Sequence, residues 1–317
     1  MKRLEVSGLT LDAPVERSLT VRRRRQAQAG SARIGLSFEC GEAVYRSRAR
    51  LLLLDPKARP VEVISEGEVY TLSNDLLTAQ VAPAFMGAMT SLRYQGVEYL
   101  NCSYPECAQR HWRNPWHGGI HLVYRNLWGR LHRERFRARP VERRGAQGLV
   151  WRGLRLTCRA TQRSARHHTL YVEYLLTPGA DVLALVVGRR NTLGEWLAGA
   201  LAVNLWSNLA DAPGRGVFDT GDDRISPKAG PYQYGDFTWP WGGLVSADGR
   251  ALFIGSGDRE CRAGGFSGGP EGCVLLGEVC REAPAGRDAE GLFFVAPAAS
   301  VEKARDREAW SAFAELP

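Results

Sequence analysis

The 317-residue sequence predicts an all-β protein, built as a large antiparallel β-sandwich with a small β subdomain at its N-terminus. Apolar and polar residues alternate over many short stretches, as they do in strands that bury one face. Turn-forming residues separate these stretches, for example at residues 177–181 and 247–249. Helical patterns do not alternate with the strands, which argues against a parallel sheet.

Residues 1–65 are predicted to form the small β subdomain or an extra sheet layer, with strands at 32–38 and 43–54 and a linker at 57–60. Residues 66–317 are predicted to form the main sandwich. Its expected strands are 71–72, 76–81, 88–94, 97–100, 120–124, 149–160, 169–176, 182–189, 200–206, 243–245, 251–255, 274–278 and 291–295. One helix is expected at 301–316, with Ser300 as its N-cap.

The segment 70–100 predicts an antiparallel meander with a turn at 73–75, a bend between Pro83 and Gly87, and a turn at 95–96. Its order of residues resembles the opening of the galactose-mutarotase-like fold. The matching residues are Leu72, Asn74, Pro83, Gly87, Ser91, Leu92, Gly96, Glu98 and Leu100. The resemblance implies a β-supersandwich and a role with carbohydrates.

Residues 110–124 form the densest group of histidine, tryptophan and arginine residues, and we expect a loop here that leads into the strand 120–124. The run Asn114-Pro115-Trp116-His117-Gly118-Gly119 resembles the Asn-x-x-His-Gly-Gly motif of aldose 1-epimerases. The resemblance implies that His117 contacts a sugar and that Trp116 offers a ring face to it. Asn114, His121 and Arg125 are further binding candidates, and Arg125 suits an acidic sugar.

The same family carries its catalytic-acid histidine in an Asn-His-x-Tyr-Phe-Asn-Leu run. The nearest counterpart here is residues 203–209, with Asn204 at the histidine position. An amide does not perform acid–base chemistry near neutral pH, so Asn204 is a binding candidate only.

Residues 219–241 predict a second, largely unstructured loop that is rich in acidic and aromatic residues. Asp219 and Asp236 are expected to act with His117 as catalytic groups. The rings of Tyr234, Trp239 and Trp241 are expected to contact the substrate.

The net charge of +8 fits a carbohydrate partner that is anionic, whereas no nucleic-acid-binding motif accompanies the arginines. The seven cysteines form no C-x-x-C pair, and we expect reduced thiols with no metal and no cofactor. The sequence contains no apolar run of about 20 residues, the length that a membrane helix needs. The N-terminus lacks the apolar region of a signal peptide, which predicts a cytoplasmic location.

These observations predict a carbohydrate-active protein, with epimerase, isomerase or lyase-type acid–base chemistry at or near an anomeric carbon. The alternatives are a non-catalytic carbohydrate-binding domain and a metal-assisted glycan hydrolase. The saccharide hypothesis requires that the imidazole of His117 protrude into a concave hollow lined by rings.

Overall fold

The computed structural model describes residues 30–40, 43–54, 57–110, 113–124, 131–145, 148–161, 168–191, 201–210, 216–220, 224–225, 233–236, 241–267, 273–280, 286–305 and 310. Nearly all regular structure in these ranges is strand. In chain order the strands are β1 (Gly30–Cys40), β2 (Ala43–Leu53), β3 (Glu62–Glu66), β4 (Val69–Ser73), β5 (Leu77–Ala82), β6 (Ala88–Tyr94), β7 (Val97–Glu98), β8 (Ala108–Arg110), β9 (Arg113–Trp116), β10 (Ile120–Tyr124), β11 (Phe136–Arg144), β12 (Val150–Arg159), β13 (His168–Leu176), β14 (Leu183–Asn191), β15 (Leu201–Trp206), β16 (Gly216–Asp219), β17 (Arg224–Ile225), β18 (Gln233–Asp236), β19 (Trp241–Ser246), β20 (Ala251–Gly255), β21 (Cys261–Ser267), β22 (Cys273–Val279) and β23 (Asp288–Ala298).

Two large antiparallel sheets contain most of these strands, which confirms the predicted all-β sandwich. The ten-stranded sheet has the order β18-β21-β22-β15-β10-β6-β5-β4-β3, with β7 paired to β6. The nine-stranded sheet has the order β11-β12-β13-β14-β23-β20-β19-β16-β17. The hairpins β1–β2 and β8–β9 form separate two-stranded sheets. The ten-stranded sheet begins at Glu62, and the division of the chain at residue 65 stays a prediction.

The main core lies between the two large sheets and takes alternate residues from each strand. Ile120 and Leu122 of β10 and Val203 and Leu205 of β15 all point into it. Successive side chains of a strand point to opposite faces, so the residues between them lie on the other face of the ten-stranded sheet. We call this face, which carries His121, Asn204, Leu276 and Glu278, the outer face.

Two buried polar side chains tie the sheets together. The hydroxyl of Tyr174 on β13 donates to Gly87 O (3.1 Å) or Ile120 O (2.9 Å) of the opposite sheet. The Asn74 amide donates to Thr177 O and Ala180 O (2.8 and 2.7 Å), in the turn between β13 and β14. The Oδ1 atom of Asn74 accepts from the backbone of its own turn, from Leu77 N at 2.9 Å and Leu76 N at 3.3 Å.

A buried carboxylate organises the far face of the nine-stranded sheet. Glu173 on β13 is fully buried and pairs with Arg155 (3.2 Å) on the adjacent strand β12 and with Arg143 (2.6 Å) on β11, one strand further away. Arg143 also reaches Glu290 at 3.1 Å, and Glu290 accepts a hydrogen bond from Tyr171. The network satisfies charges that would be costly to bury alone.

The meander at 70–100 follows the prediction. Turns occupy 83–87 and 95–96, with positive φ angles at Gly87 and Gly96, and a β-bulge interrupts the β5–β6 pairing. Ser300 caps the helix α1 (Val301–Arg305) by accepting from Lys303 N. The helix predicted to continue to 316 lies mostly outside the described residues.

Three local predictions were wrong. Residues Arg113–Trp116 form the strand β9 of a two-stranded sheet instead of a loop, and Pro115 lies at the register shift of this pairing, where no backbone donor is needed. The segment 219–241 contains β17 and β18. The glycine-rich stretch 264–269, predicted as a flexible turn, begins within the strand β21. A Cβ at Gly265 would lie 2.4 Å from the Phe218 ring of the other sheet, so glycine permits this close approach.

No helix in the described part of the chain is long and apolar enough to cross a membrane.

Candidate functional site

The backbone around His117 is fixed by the two glycines that follow it. Gly118 and Gly119 have φ angles of 71° and 64°, which favour glycine. A Cβ on Gly118 would lie 2.2 Å from Asn101 O, and one on Gly119 would lie 2.2 Å from Met89 O. Side chains at either position would therefore push this segment off the sheet.

The carbonyl of His117 is held by the segment 101–107. Ser103 donates its backbone N–H to His117 O (2.9 Å) and its hydroxyl to Trp116 O (2.9 Å) or His117 O (3.3 Å), and the Cys102 thiol approaches His117 O at 3.2 Å. These bonds, together with the glycines, set the direction in which the His117 side chain leaves the backbone.

The imidazole of His117 is packed, not open: its exposed fraction is 7%. Phe85 meets it edge-on at 4.9 Å between centroids, His132 lies at 6.1 Å, and Cys107 Sγ lies 3.2 Å from its Nε2 atom. Burial, with a smaller contribution from His132, lowers the pKa of His117 to about 4. The ring is therefore neutral at pH 7. The expectation that the imidazole protrudes into a hollow was wrong, because the ring is buried.

His121 and Asn204 face each other across β10 and β15 on the outer face. His121 is 7% exposed, and its Nδ1 atom lies 2.9 Å from Gly118 O, so Nδ1 carries the proton. Asn204 is 4% exposed, and its Oδ1 atom has no hydrogen-bond partner among the described residues. A buried acceptor without a donor is costly in the free protein, and a hydroxyl group would satisfy it.

The cross-strand register extends this pair into a row. Asn204 is opposite Leu276 on β22, Leu276 is opposite Gly264 on β21, and Gly264 is opposite Asp236 on the edge strand β18. Partners in one row share a face, so the backbone position of Asp236 belongs to the outer face, as does that of Tyr234 two residues away.

Glu278 also lies on this face. Glu278 is two residues beyond Leu276 on β22 and is opposite Ala202 on β15 and Arg262 on β21. Strand spacings of about 4.8 Å and a rise of about 3.4 Å per residue place its Cα about 12 Å from that of His121. Asn204 lies on β15, the strand between them.

Trp116 does not present an open ring face. It meets Trp206 edge-on at 5.6 Å, and the Arg110 guanidinium lies over the Trp116 ring at 4.8 Å. Trp116 is 8% exposed and packs with Trp206 and Val274 as a small apolar cluster. It supports the site from beside it.

Two predicted site residues lie on the other sheet. Asp219 on β16 is fully buried and pairs with Arg224 at 3.4 Å. Trp241 stacks on Phe294 at 6.3 Å within a buried apolar cluster. Because Phe218 points into the main core, the alternating Asp219 faces away from the ten-stranded sheet, and neither residue meets His117.

The remaining candidates are not placed. Arg125 and Trp239 lie outside the described residues, and for Asn114, Tyr234 and Asp236 only the backbone is described. Among the described side chains, no group of three histidine, cysteine, aspartate or glutamate residues is arranged to hold a metal ion. Sequence reasoning missed Phe85, Cys107, His132 and Glu278. The available signal for Glu278 was its position two residues after Leu276, which places both side chains on the same face of the strand.

Comparison with known proteins rests on the structure. No family model and no curated protein matches the sequence. A TPR-domain-containing protein from Parabacteroides distasonis superposes with a TM-score of 0.56 at 13% identity, over 86% of this chain and 54% of that chain. This chain thus spans about half of that protein.

Two further solved structures are also similar. A protein described as a candidate aldose 1-epimerase from Klebsiella pneumoniae gives a TM-score of 0.56 at 8% identity, over 90% of this chain and 92% of that one. A galactose mutarotase related enzyme from Lactobacillus acidophilus gives 0.52 at 9% identity, over 74% and 98%. The opening resemblance is thereby confirmed at the level of architecture: the chain has the galactose-mutarotase-like sandwich fold.

Proposed function

We propose that this chain is a carbohydrate-active protein that binds a saccharide on the outer face of its ten-stranded sheet and transfers protons at or near the anomeric carbon. The observation that supports the proposal most directly is the unpartnered, buried Oδ1 atom of Asn204 between His121 and Leu276. A sugar hydroxyl would donate to this oxygen, and the C–H face of the ring would cover Leu276.

The proton transfers fall to His121 and Glu278 in this proposal. The pKa of His117 is too low for it to be a general acid at pH 7, and Asn204 does not exchange protons. His121 and Glu278 share the outer face and flank Asn204 from opposite sides.

The named activities of the structural relatives, an aldose 1-epimerase and a galactose mutarotase related enzyme, support the same ligand class. So does the match of residues 114–119 to the epimerase motif. An isomerase reaction, with no change in the composition of the sugar, is the chemistry we infer.

The test is a thermal-shift screen over neutral sugars, uronic acids and sugar phosphates, followed by NMR measurement of anomer exchange for every sugar that raises the melting temperature. Glu278→Gln should retain binding and lose most of the exchange rate. Glu68→Gln, in the exposed turn between β3 and β4, is the matched control and should keep both. If no sugar binds, or if Glu278→Gln exchanges anomers at the wild-type rate, the assignment fails.

The buried, neutral His117 and the amide at position 204 favour a second candidate, a non-catalytic carbohydrate-binding domain. It predicts sugar binding that Asn204→Leu abolishes, together with no acceleration of anomer exchange by the wild-type protein. The two readouts of the same screen therefore separate the two candidates.

A further inference from the structure

Cys107 and His117 form a nucleophile–imidazole pair. Cys107 Sγ lies 3.2 Å from His117 Nε2, and the Cys107 residue is exposed whereas the ring is buried. A reagent in solvent can therefore reach the sulfur without displacing the imidazole. The pair is separate from His121, Asn204 and Glu278, the residues that the proposed function uses.

The geometry supplies an acceptor for the thiol proton. Because burial keeps His117 neutral at pH 7, its Nε2 atom has a lone pair directed at the sulfur when Nδ1 carries the proton. An imidazole beside a thiol is the usual arrangement that activates a cysteine for attack. Phe85 and His132 pack on the ring and keep it aligned with the sulfur.

The other described cysteines are in less reactive surroundings. Burial raises the pKa of Cys102 to about 11 and that of Cys158 to about 12. Cys273 is buried and Cys261 half-buried. Only Cys107 and Cys280 are exposed among the described thiols, so Cys280 is a matched control within the same chain.

We propose that Cys107 is a site of covalent modification by low-molecular-weight disulfides, activated by His117. The Cys107 thiol donates a hydrogen bond to His117 Nε2, which takes up the proton only as the sulfur attacks one sulfur of the disulfide. A new S–S bond forms at Cys107, the original S–S bond breaks, and the departing thiolate takes the proton. The protein thiol is oxidised and half of the small disulfide is reduced, so no further oxidant is needed.

Modification changes the packing of the candidate site. The segment that ends at Cys107 also holds the His117 carbonyl through Ser103 and Cys102. A bulky group on Cys107 removes the proton that the thiol shares with Nε2 and displaces this segment, so the imidazole of His117 changes its environment. The site would thereby respond to the thiol–disulfide balance around the protein.

The test treats the full chain with oxidised glutathione at pH 7.5 and follows each cysteine by peptide mass spectrometry. Cys107 should react at least about tenfold faster than Cys280, because the Nε2 atom of His117 accepts the Cys107 proton during the attack. The NMR signal of the His117 ring should shift as Cys107 is modified. In His117→Gln, checked for folding by circular dichroism, the Cys107 rate should fall to within about threefold of the Cys280 rate.

Equal rates at Cys107 and Cys280 in the wild-type protein overturn the proposal, and so does an unchanged Cys107 rate in folded His117→Gln. If that variant does not fold, the wild-type rates and the His117 signal decide the matter alone. Cys107→Ser should lose the fast reaction and keep the Cys280 rate. None of these readouts involves a sugar, so they stand apart from the proposed function.

Discussion

Replacing Asn204 with leucine should raise the stability of the free protein while it removes sugar binding. The Oδ1 atom of Asn204 is buried without a partner among the described residues, and such a group costs about 1–3 kcal/mol. Leucine has the same number and branching of side-chain heavy atoms and would pack beside Leu276, the cross-strand neighbour. We therefore expect the free energy of unfolding to increase by about 1–2 kcal/mol.

Asn74 provides the matched control for this prediction, since it is buried to the same degree but fully hydrogen-bonded. Its side chain makes four hydrogen bonds to backbone atoms, two of them to Thr177 and Ala180. Asn74→Leu would leave these groups unpaired and should lower the free energy of unfolding by at least about 3 kcal/mol. The same substitution is thus expected to act with opposite signs at the two positions.

Urea unfolding followed by tryptophan fluorescence measures both variants, with the sugar that responds in the thermal-shift screen added in a second series. The sugar should stabilise the wild-type protein and leave Asn204→Leu unaffected. If Asn204→Leu loses as much stability as Asn74→Leu, then the Asn204 oxygen is already satisfied, and the main argument for a ligand at this position is refuted.

Three further predictions concern other parts of the molecule. Glu173→Gln should lower the free energy of unfolding by about 3–5 kcal/mol, because two partly buried arginines lose their shared carboxylate. Glu142→Gln, in an exposed ion pair, should lower it by less than about 1 kcal/mol, and similar losses for the two variants in urea unfolding would contradict this. The His117 ring should titrate near pH 4 when followed by NMR, and a midpoint near 6.5 would show an open ring. Because the folded-state pKa of His117 is lowered, its contribution to stability is complete above pH 6.5 and declines as the pH falls toward 4. Gly118→Ala should lower the melting temperature more than Gly67→Ala, since both have positive φ but only Gly118 would bring its Cβ against backbone.

The fold was predictable because it depends on local patterns. Alternation in strands such as β5, where Leu77 and Ala79 are buried and Thr78 and Gln80 exposed, marks one buried face directly in the sequence. The turns of the opening meander likewise occur where glycine and proline stand. The glycine-rich start at Gly264 misled because its glycines serve a close approach between sheets, which no local pattern reveals.

The candidate site was only partly predictable because it depends on register between distant strands. His121 and Asn204 are far apart in sequence and become neighbours only through the β10–β15 pairing. Asp219 and Asp236 lie in one segment of sequence, yet their strands belong to different sheets. Their proximity in the sequence therefore suggested that the two aspartates act together at one site, but the fold places their strands in different sheets. The Cys107–His117 contact depends in the same way on the β8–β9 hairpin.

The hydroxyl of Tyr174 and the amide of Asn74 form hydrogen bonds that connect the two large sheets. Sliding one sheet past the other by a single residue would break both sets of bonds and leave buried carbonyls bare. Admission of a ligand by relative motion of the layers is therefore disfavoured. Any rearrangement that admits a ligand must instead come from the connections that surround His117 and Asn204. Those connections, and not the two sheets, would then determine which ligands the protein accepts.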